Sequence, residues 1–185
     1  MKHLIFLLIF ISGCIDPYNH EIVDHSLSQE IKDYTVFPIG SNWVYFDSLS
    51  GIEDSIYITN LEQHYFQRAE DFNRYEHYFS SCYSSFQNTT FSRAAMVMDG
   101  QDNSVYFDNN IIKFVSNLPL GLNGEGIYYH AFFDSIFIRN SIYHEVKVFY
   151  QPLDTSYYYF AKNIGLIKER TKTAVKELDH YHINY

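Results

Sequence analysis

Positive charge is scarce in this chain of 185 residues. Lys and Arg together number 13, against 22 Asp and Glu, so the formal net charge is -9. Nucleic-acid binding depends on Lys and Arg side chains that neutralise phosphates, and attraction to anionic headgroups depends on basic clusters. The composition therefore argues against a nucleic-acid partner and against a polybasic membrane-binding face.

The chain also lacks a long hydrophobic run and the common catalytic and nucleotide-binding motifs. No apolar stretch approaches the roughly 20 residues that a membrane-spanning helix needs. The sequence contains no P-loop, no dinucleotide fingerprint, and neither the G-x-S-x-G nor the H-E-x-x-H signature. We therefore expect no cofactor and a non-enzymatic protein.

Cysteine is rare too, with two in the chain, and the first directly follows a short apolar segment. The first three residues carry one firm positive charge, and residues 4–11 are uninterruptedly apolar. That length is typical of the hydrophobic region of a secretory signal, about 7–15 residues. The sequence Ile-Ser-Gly-Cys at 11–14 then resembles the lipobox of bacterial lipoprotein precursors. The resemblance implies that residues 1–13 are a signal peptide and that Cys14 becomes the acylated N-terminus.

Two other interpretations of this end remain open. Residues 4–11 would be a buried N-terminal strand with a chance cysteine, or the protein would be secreted without lipid and Cys14 would pair with Cys82. If Cys14 is acylated with two or three chains, as in mature lipoproteins, attachment to the membrane is stable. Cys82 is then left without a disulfide partner, and we expect it to be a small buried hydrophobic residue.

The segment that follows the cysteine is predicted to be a tether. Residues 14–33 show no convincing helical or strand period, and about 19 residues of flexible coil would span roughly 25 Å. A short helix at 26–32 with Ser26 as its cap is an alternative for part of it. No acidic cluster follows Cys14, which favours an outer-membrane protein that faces the periplasm. Residues 34–185 are predicted to form a single domain.

That domain is predicted to be all-β. The chain has 18 Tyr and 16 Phe, which favour strands because aromatic side chains pack well on a pleated surface. Short strands recur about every 10 residues, as in antiparallel all-β domains. We expect an antiparallel meander that forms a curved sheet, a half-barrel or a sandwich, either with strands alone or with one short helix. Strands are predicted at 42–47, 54–61, 91–98, 104–108, 111–115, 127–133, 134–140, 143–150, 155–161, 165–171, 174–178 and 181–185.

One region is ambiguous between helix and strand. In residues 62–86, apolar side chains fit a helical stripe, but the same stretch also fits strands at 64–69 and 74–83 around a turn at 71–73. Its high aromatic content favours the strands. A curved sheet that is covered in part by residues 61–79 is the expected arrangement.

Two further stretches resemble one family. Phe-Pro-Ile-Gly-Ser-Asn-Trp-Val-Tyr at 37–45 resembles the F-P-L-x-x-G-x-x-W-x-Y opening of many small uncharacterised lipoproteins of Bacteroidota. Tyr-Phe-Ala-Lys-Asn-Ile-Gly-Leu-Ile-Lys at 159–168 resembles their closing Y-x-A-x-G-V-G-L-V-K hairpin. Gly40 stands one position early, and Asn163 stands where that family has Gly, although Asn tolerates positive φ. The resemblance implies an exported, lipid-anchored β domain and brings no activity or site residues.

Two sets of side chains are candidate binding sites. His180 and His182 are two apart, so on a strand both imidazoles share a face and form a weak metal candidate. The competing interpretation is an exposed polar strand face, with Asp179 directed to the other side. Tyr128, Tyr157 and Tyr159 are a weak candidate for stacking on a sugar, against ordinary tyrosine packing at a sheet rim.

The sequence alone therefore predicts a lipid-anchored cell-envelope protein with a structural or binding role. The alternatives are a glycan-binding accessory lipoprotein that uses surface tyrosines, and a periplasmic chaperone or lipid carrier. The carrier would need a continuous apolar groove of several hundred Å². The ligand, the protein or glycan partner, the membrane face and the oligomeric state stay open.

Overall fold

The computed structural model describes residues 22–67, 73–98, 102–107, 110–113 and 128–185, and every structural statement below concerns these ranges. For the residues of these ranges that fall between 96 and 128, the backbone is described but the side chains are not. The predicted signal peptide, Cys14, the Asp-Gly turn near residue 100 and the side chain of Tyr128 lie outside the described residues.

The described chain consists of strands and one short helix. The elements in chain order are β1 (Val23–His25), α1 (Gln29–Thr35), β2 (Asn42–Asp47), β3 (Glu53–Gln67), β4 (Asn73–Ser84), β5 (Thr89–Met98), β6 (Asp102–Phe107), β7 (Asn110–Lys113), β8 (Tyr128–Ile138), β9 (Ser141–Gln151), β10 (Ser156–Ala161), β11 (Gly165–Arg170) and β12 (Val175–His182).

The strands form one curled sheet in the order β7-β6-β5-β4-β3-β2-β12-β11-β10-β9-β8, with β1 beside β4. Neighbours pair antiparallel, and β1 pairs with β4 in parallel, from Val23 opposite Asn73 to His25 opposite Tyr75. The chain thus makes two meanders, β2–β7 and β8–β12, which β12 and β2 join. The all-β prediction is confirmed, and the architecture is a half-barrel with one short helix.

The structure shortens the predicted tether. Residues 22–33 belong to the folded domain, because β1 pairs with the sheet and Leu27 and Ile31 are buried. The helix cap is Ser28 rather than Ser26, and its side chain accepts a hydrogen bond from the Ile31 amide at 3.4 Å. Residues 14–21, the rest of the predicted tether, lie outside the described residues.

Several strand predictions need correction. In the ambiguous region 62–86, residues 62–67 and 73–84 are strands, as favoured, with β3 continuing to Gln67. Residues 61–67 and 73–79 are part of the sheet and do not cover it; α1 packs on it instead, with Ile31 and Tyr34 in a cluster that includes Phe149 and Phe160. The two strands expected at 127–140 are one, and those at 174–185 are one strand with a bulge after Leu178.

The opening and closing stretches that carry the family resemblance contact each other. The indole Nε1 of Trp43 donates to the carbonyl of Ile164 at 2.6 Å, and the hydroxyl of Tyr45 donates to the carbonyl of Leu166 at 2.8 Å. The Phe37 ring packs edge-on against Trp43 with the centroids 5.2 Å apart. Asn163 has φ +60° in the hairpin turn, as the sequence predicted for a residue in place of glycine.

A buried carboxylate joins the helix segment to the sheet. Glu76 on β4 is 1% exposed and accepts hydrogen bonds from the Leu27 amide at 2.7 Å, from Lys32 Nζ at 3.1 Å and from Gln63 Nε2 at 2.6 Å. Burial alone would raise the pKa of Glu76. The hydrogen bonds from Lys32, Leu27 and Tyr78 outweigh burial and lower it, so the carboxylate stays charged.

Gly165→Ala should destabilise the domain more than Gly51→Ala. Both glycines have positive φ, +93° and +73°, which costs an alanine about 1 kcal/mol or more. A Cβ at Gly165 would lie 2.9 Å from Cε2 of Phe37, whereas one at Gly51 meets nothing within 4 Å. In urea unfolding we expect a loss of about 2–4 kcal/mol for Gly165→Ala and about 1 kcal/mol for Gly51→Ala. Equal losses would contradict the close packing on Phe37.

Glu76→Gln should lower stability at neutral pH by about 2–3 kcal/mol, since it removes charge-assisted hydrogen bonds from a buried site. The pKa of Glu76 is lower in the folded protein than in the unfolded chain, where it is near 4.5, so the charged carboxylate stabilises the fold fully above that unfolded pKa. This stabilisation is lost as the pH falls through the folded pKa. The gap between the wild type and the variant should therefore narrow below about pH 4.5 in urea unfolding curves. The control Glu53→Gln changes an exposed carboxylate and should cost under about 0.5 kcal/mol at every pH.

Candidate functional site

A partly enclosed cavity lies in the half-barrel, between β2–β5 on one side and β10–β12 on the other. It has a volume of about 120 Å³. Its polar lining includes two acids, Asp54 and Glu169, and two bases, Arg93 and Lys176. The lining brings together residues more than 100 positions apart in sequence, because β12 and β2 connect the two meanders.

Asp54 forms one wall of the cavity and is held in place by its neighbours. It is 8% exposed, and its carboxylate accepts from the hydroxyl of Ser84 at 2.8 Å and from the amide of Phe86 at 3.1 Å. The Ser84 oxygen also accepts from the Gln87 amide at 3.1 Å. Ser84 is therefore a structural link between Asp54 and the turn after β4.

The opposite wall carries a cross-strand pair of charges. Glu169 on β11 pairs in register with Lys176 on β12, and the Lys176 Nζ lies 3.9 Å from the Glu169 carboxylate. Across the cavity, the guanidinium of Arg93 lies 5.2 Å from the centre of the Phe91 ring. Together with Asp54, these side chains give the cavity two charges of each sign.

Two phenols complete the site. Tyr45 is buried, which raises the pKa of its hydroxyl, and burial raises the pKa of Tyr158 to about 12. Both hydroxyls thus remain protonated donors at neutral pH. The hydroxyl of Tyr45 is already committed to the Leu166 carbonyl.

The chemistry of the cavity suits a small polar guest or water. Small-molecule sites usually enclose about 300–1,000 Å³, well above the volume here. No histidine or cysteine is among the described residues that line the cavity.

Sequence reasoning missed these charged residues, although a signal was present. Asp54 stands in step with Ile56 on β3, and Arg93 stands between Phe91 and Ala95 on β5. A charge at an inward position of an otherwise apolar strand face is a sign of a polar interior site. Glu169 on β11 and Lys176 on β12 carry no such sign in the sequence, because their proximity to Asp54 and Arg93 depends on the sheet topology.

The tyrosines proposed for sugar stacking are only in part brought to the surface. Tyr157 and Tyr159 are half-buried, and Tyr158 between them is buried. The rings of Tyr157 and Tyr150 are 4.8 Å apart at 36°, and the ring of His130 stands at 74° to Tyr157. Tilted and edge-on rings do not form a flat platform.

The two candidate metal ligands lie at the exposed end of β12. The bulge after Leu178 places Asp179 beside His180, with 3.1 Å between a carboxylate oxygen and Nδ1, and not on the far side as expected. Asp179 also pairs with Arg139 at 3.1 Å. Within the described ranges, no group of three or more His, Cys, Asp or Glu side chains is arranged to hold a metal ion.

Comparison with known proteins gives limited information. No protein-family model matches the chain, and no curated protein matches it. A solved structure with some similarity is a Parabacteroides distasonis protein described provisionally as a lipoprotein, with 9% sequence identity and a TM-score of 0.42. The match covers 80% of this chain and 97% of that one. A likeness of this size carries no functional argument.

The helix content gives no sign of a membrane span. In the part of the chain that the structure describes, no helix has the length and hydrophobicity to cross a bilayer.

Asp54→Ala should destabilise the domain and disturb the cavity. It leaves the Ser84 hydroxyl and the Phe86 amide without their acceptor, which we expect to cost about 1.5–3 kcal/mol. The matched control is Asp134→Ala on β8, an exposed position where the change should stay within about 0.5 kcal/mol. Thermal and urea unfolding of the two variants measure the difference, and similar small losses would mean that Asp54 does not hold the wall.

Proposed function

We propose that this chain is a lipid-anchored cell-envelope protein whose half-barrel is a structural or binding module and not an enzyme. The observation that carries the proposal is the Ile-Ser-Gly-Cys sequence at 11–14 after an apolar segment of signal length. The described domain begins at Ile22, eight residues after Cys14. In this proposal residues 1–13 are removed, and Cys14 carries the acyl chains in the outer membrane on the periplasmic side.

The interior supports a binding or structural role over transport of lipid. Ile31 and Tyr34 of α1, together with Leu27 just before the helix, pack on the sheet and fill a core with Phe149 and Phe160. The cavity of about 120 Å³ has a charged lining. An acyl chain needs a larger apolar space, so a lipid carrier is not favoured.

Glycan binding through Tyr157 and Tyr159 is a weaker candidate. Their partial exposure allows contact with a ligand, but the tilted rings around Tyr157 oppose flat stacking on a sugar. The small polar cavity and the exposed strand faces are better supports for a role in binding or in envelope structure.

Cys14→Ser should abolish lipid attachment. The sulfur of Cys14 is the acceptor for the acyl group in this proposal, so intact-mass analysis should show acylated wild type in the membrane fraction. The variant should keep an unmodified, unprocessed N-terminus and lose its acyl mass. The control Cys82→Ala changes a buried thiol and should leave acylation unchanged. A wild-type chain that begins at Met1 and carries no lipid would overturn the assignment.

A further inference from the structure

We propose that one face of the half-barrel, at its anchored corner, rests directly on the lipid leaflet that holds Cys14. This inference depends on the lipid anchor proposed above. We name this face the anchor-side patch and define it by Val23, His64, Phe66, His77 and Phe79.

Strand register places the five side chains on one face. His64 pairs with His77 across β3 and β4, and Phe79 lies two residues beyond His77 on the same strand. Phe66 pairs with Tyr75, which in turn pairs with His25 on β1. Paired residues and residues two apart share a sheet face. Val23, two residues before His25, therefore lies on the same face.

The four rings of the patch contact one another, and the patch is exposed in part, since His77 and Phe79 are half-buried. Val23 is 49% exposed and Phe66 is 47% exposed. The Phe66 ring lies 4.7 Å from His77 and 6.0 Å from Phe79, and His64 lies 6.0 Å from Phe66. Amphipathic rings favour the boundary between headgroups and acyl chains, and here the polar edges come from His64 and His77, beside the apolar rings of Phe66 and Phe79.

Among the described residues, the charges at the end of the patch nearest to the anchor are paired with each other. Asp24 and Arg74 form an ion pair at 2.7 Å. Asp24 alternates with Val23 and His25 along β1, so its side chain lies on the other face of the strand. Among the side chains that the structure describes, the nearest carboxylate on the face itself is Glu62, paired with His64 at 3.0 Å at the end away from Val23. With few basic residues, contact would come from the rings and not from attraction to anionic lipid.

The length of chain before the domain selects the membrane as the occupant. Cys14 precedes Val23 by nine residues, which span at most about 32 Å even when fully extended. Val23 is itself part of the patch, so the anchor enters the fold at this face. A short tether gives the patch a high effective concentration at the leaflet. A weak apolar contact is then sufficient for the domain to settle in one orientation.

The opposite end of the barrel offers a matched control. Glu53, at the start of β3, pairs with Phe46, and the Arg139 guanidinium lies 4.3 Å from the centre of the Phe46 ring. Phe137, two residues before Arg139, is 67% exposed. Because β3 has 15 residues, its two ends are about 45 Å apart. Phe137 is thus an exposed aromatic residue far from the anchored corner.

The test uses the full lipidated protein in phosphatidylethanolamine–phosphatidylglycerol vesicles. Phe66→Cys and Phe137→Cys each provide one reactive thiol, since Cys14 is acylated and Cys82 is buried. Each thiol is labelled with the environment-sensitive dye NBD. The NBD emission is then measured in vesicles with and without lipids that carry a nitroxide near the headgroup. We expect blue-shifted emission and several-fold stronger nitroxide quenching at position 66 than at position 137. His64→Cys gives a second site in the patch if Phe66→Cys folds poorly.

Flotation of the vesicles separates the two proposals. Protein that floats with the vesicles but shows equal quenching at positions 66 and 137 would overturn the patch and leave the anchor intact. Protein that fails to float would overturn the lipid anchor, and the patch proposal with it. Flotation with selective quenching at positions 64 and 66 would support both.

Discussion

The pairing of β12 with β2 is the constraint on which the rest of the structure depends. Among the described strands, it is the contact in the sheet that connects the meander β2–β7 to the meander β8–β12. The register from Asp47 opposite Lys176 to Asn42 opposite His182 joins residues more than 120 positions apart. Hydrogen bonds from Trp43 and Tyr45 to carbonyls near β11 strengthen this connection from the side chains. The cavity exists because this pairing brings Asp54 and Arg93 near Glu169 and Lys176.

The helix segment ties the same two meanders together a second time. On one side, Lys32 and the Leu27 amide bind the buried Glu76 of β4. On the other side, the hydroxyl of Tyr34 donates to the carbonyl of Glu145 on β9 at 2.7 Å. The ammonium of Lys147 pairs with Glu30 and lies 5.0 Å from the centre of the Tyr34 ring. Each polar group that the helix buries thus has a partner, so the helix can occupy the sheet face without an unpaired charge.

Local features of this fold were predictable, and long-range ones were not. Strand β2 lies at the predicted 42–47, because dense aromatic and β-branched residues favour extended chain. Asn163 has the positive φ that its turn required. The spacing of Leu27, Ile31 and Tyr34 is typical of a buried helical segment and argues against a tether here; in the structure Ile31 and Tyr34 lie on α1 and Leu27 precedes its cap. Asp134 stands at the predicted boundary between strands 127–133 and 134–140, but it does not interrupt β8, since it is exposed and a strand tolerates a polar side chain toward solvent.

The candidate site shows the same limit more sharply. The sequence pointed to His180 and His182 and to the tyrosines, because those residue types stand close together in the chain. The interior charges come from four different strands, and the only local sign was an acid or a base on an apolar face. The proposed anchor-side patch depends on the parallel pairing of β1 with β4, in which three residues place the N-terminal end of the described domain next to β4, whose other neighbour β3 carries Phe66. Under the proposed lipid anchor, contacts at this corner would need no additional length of chain to reach the membrane.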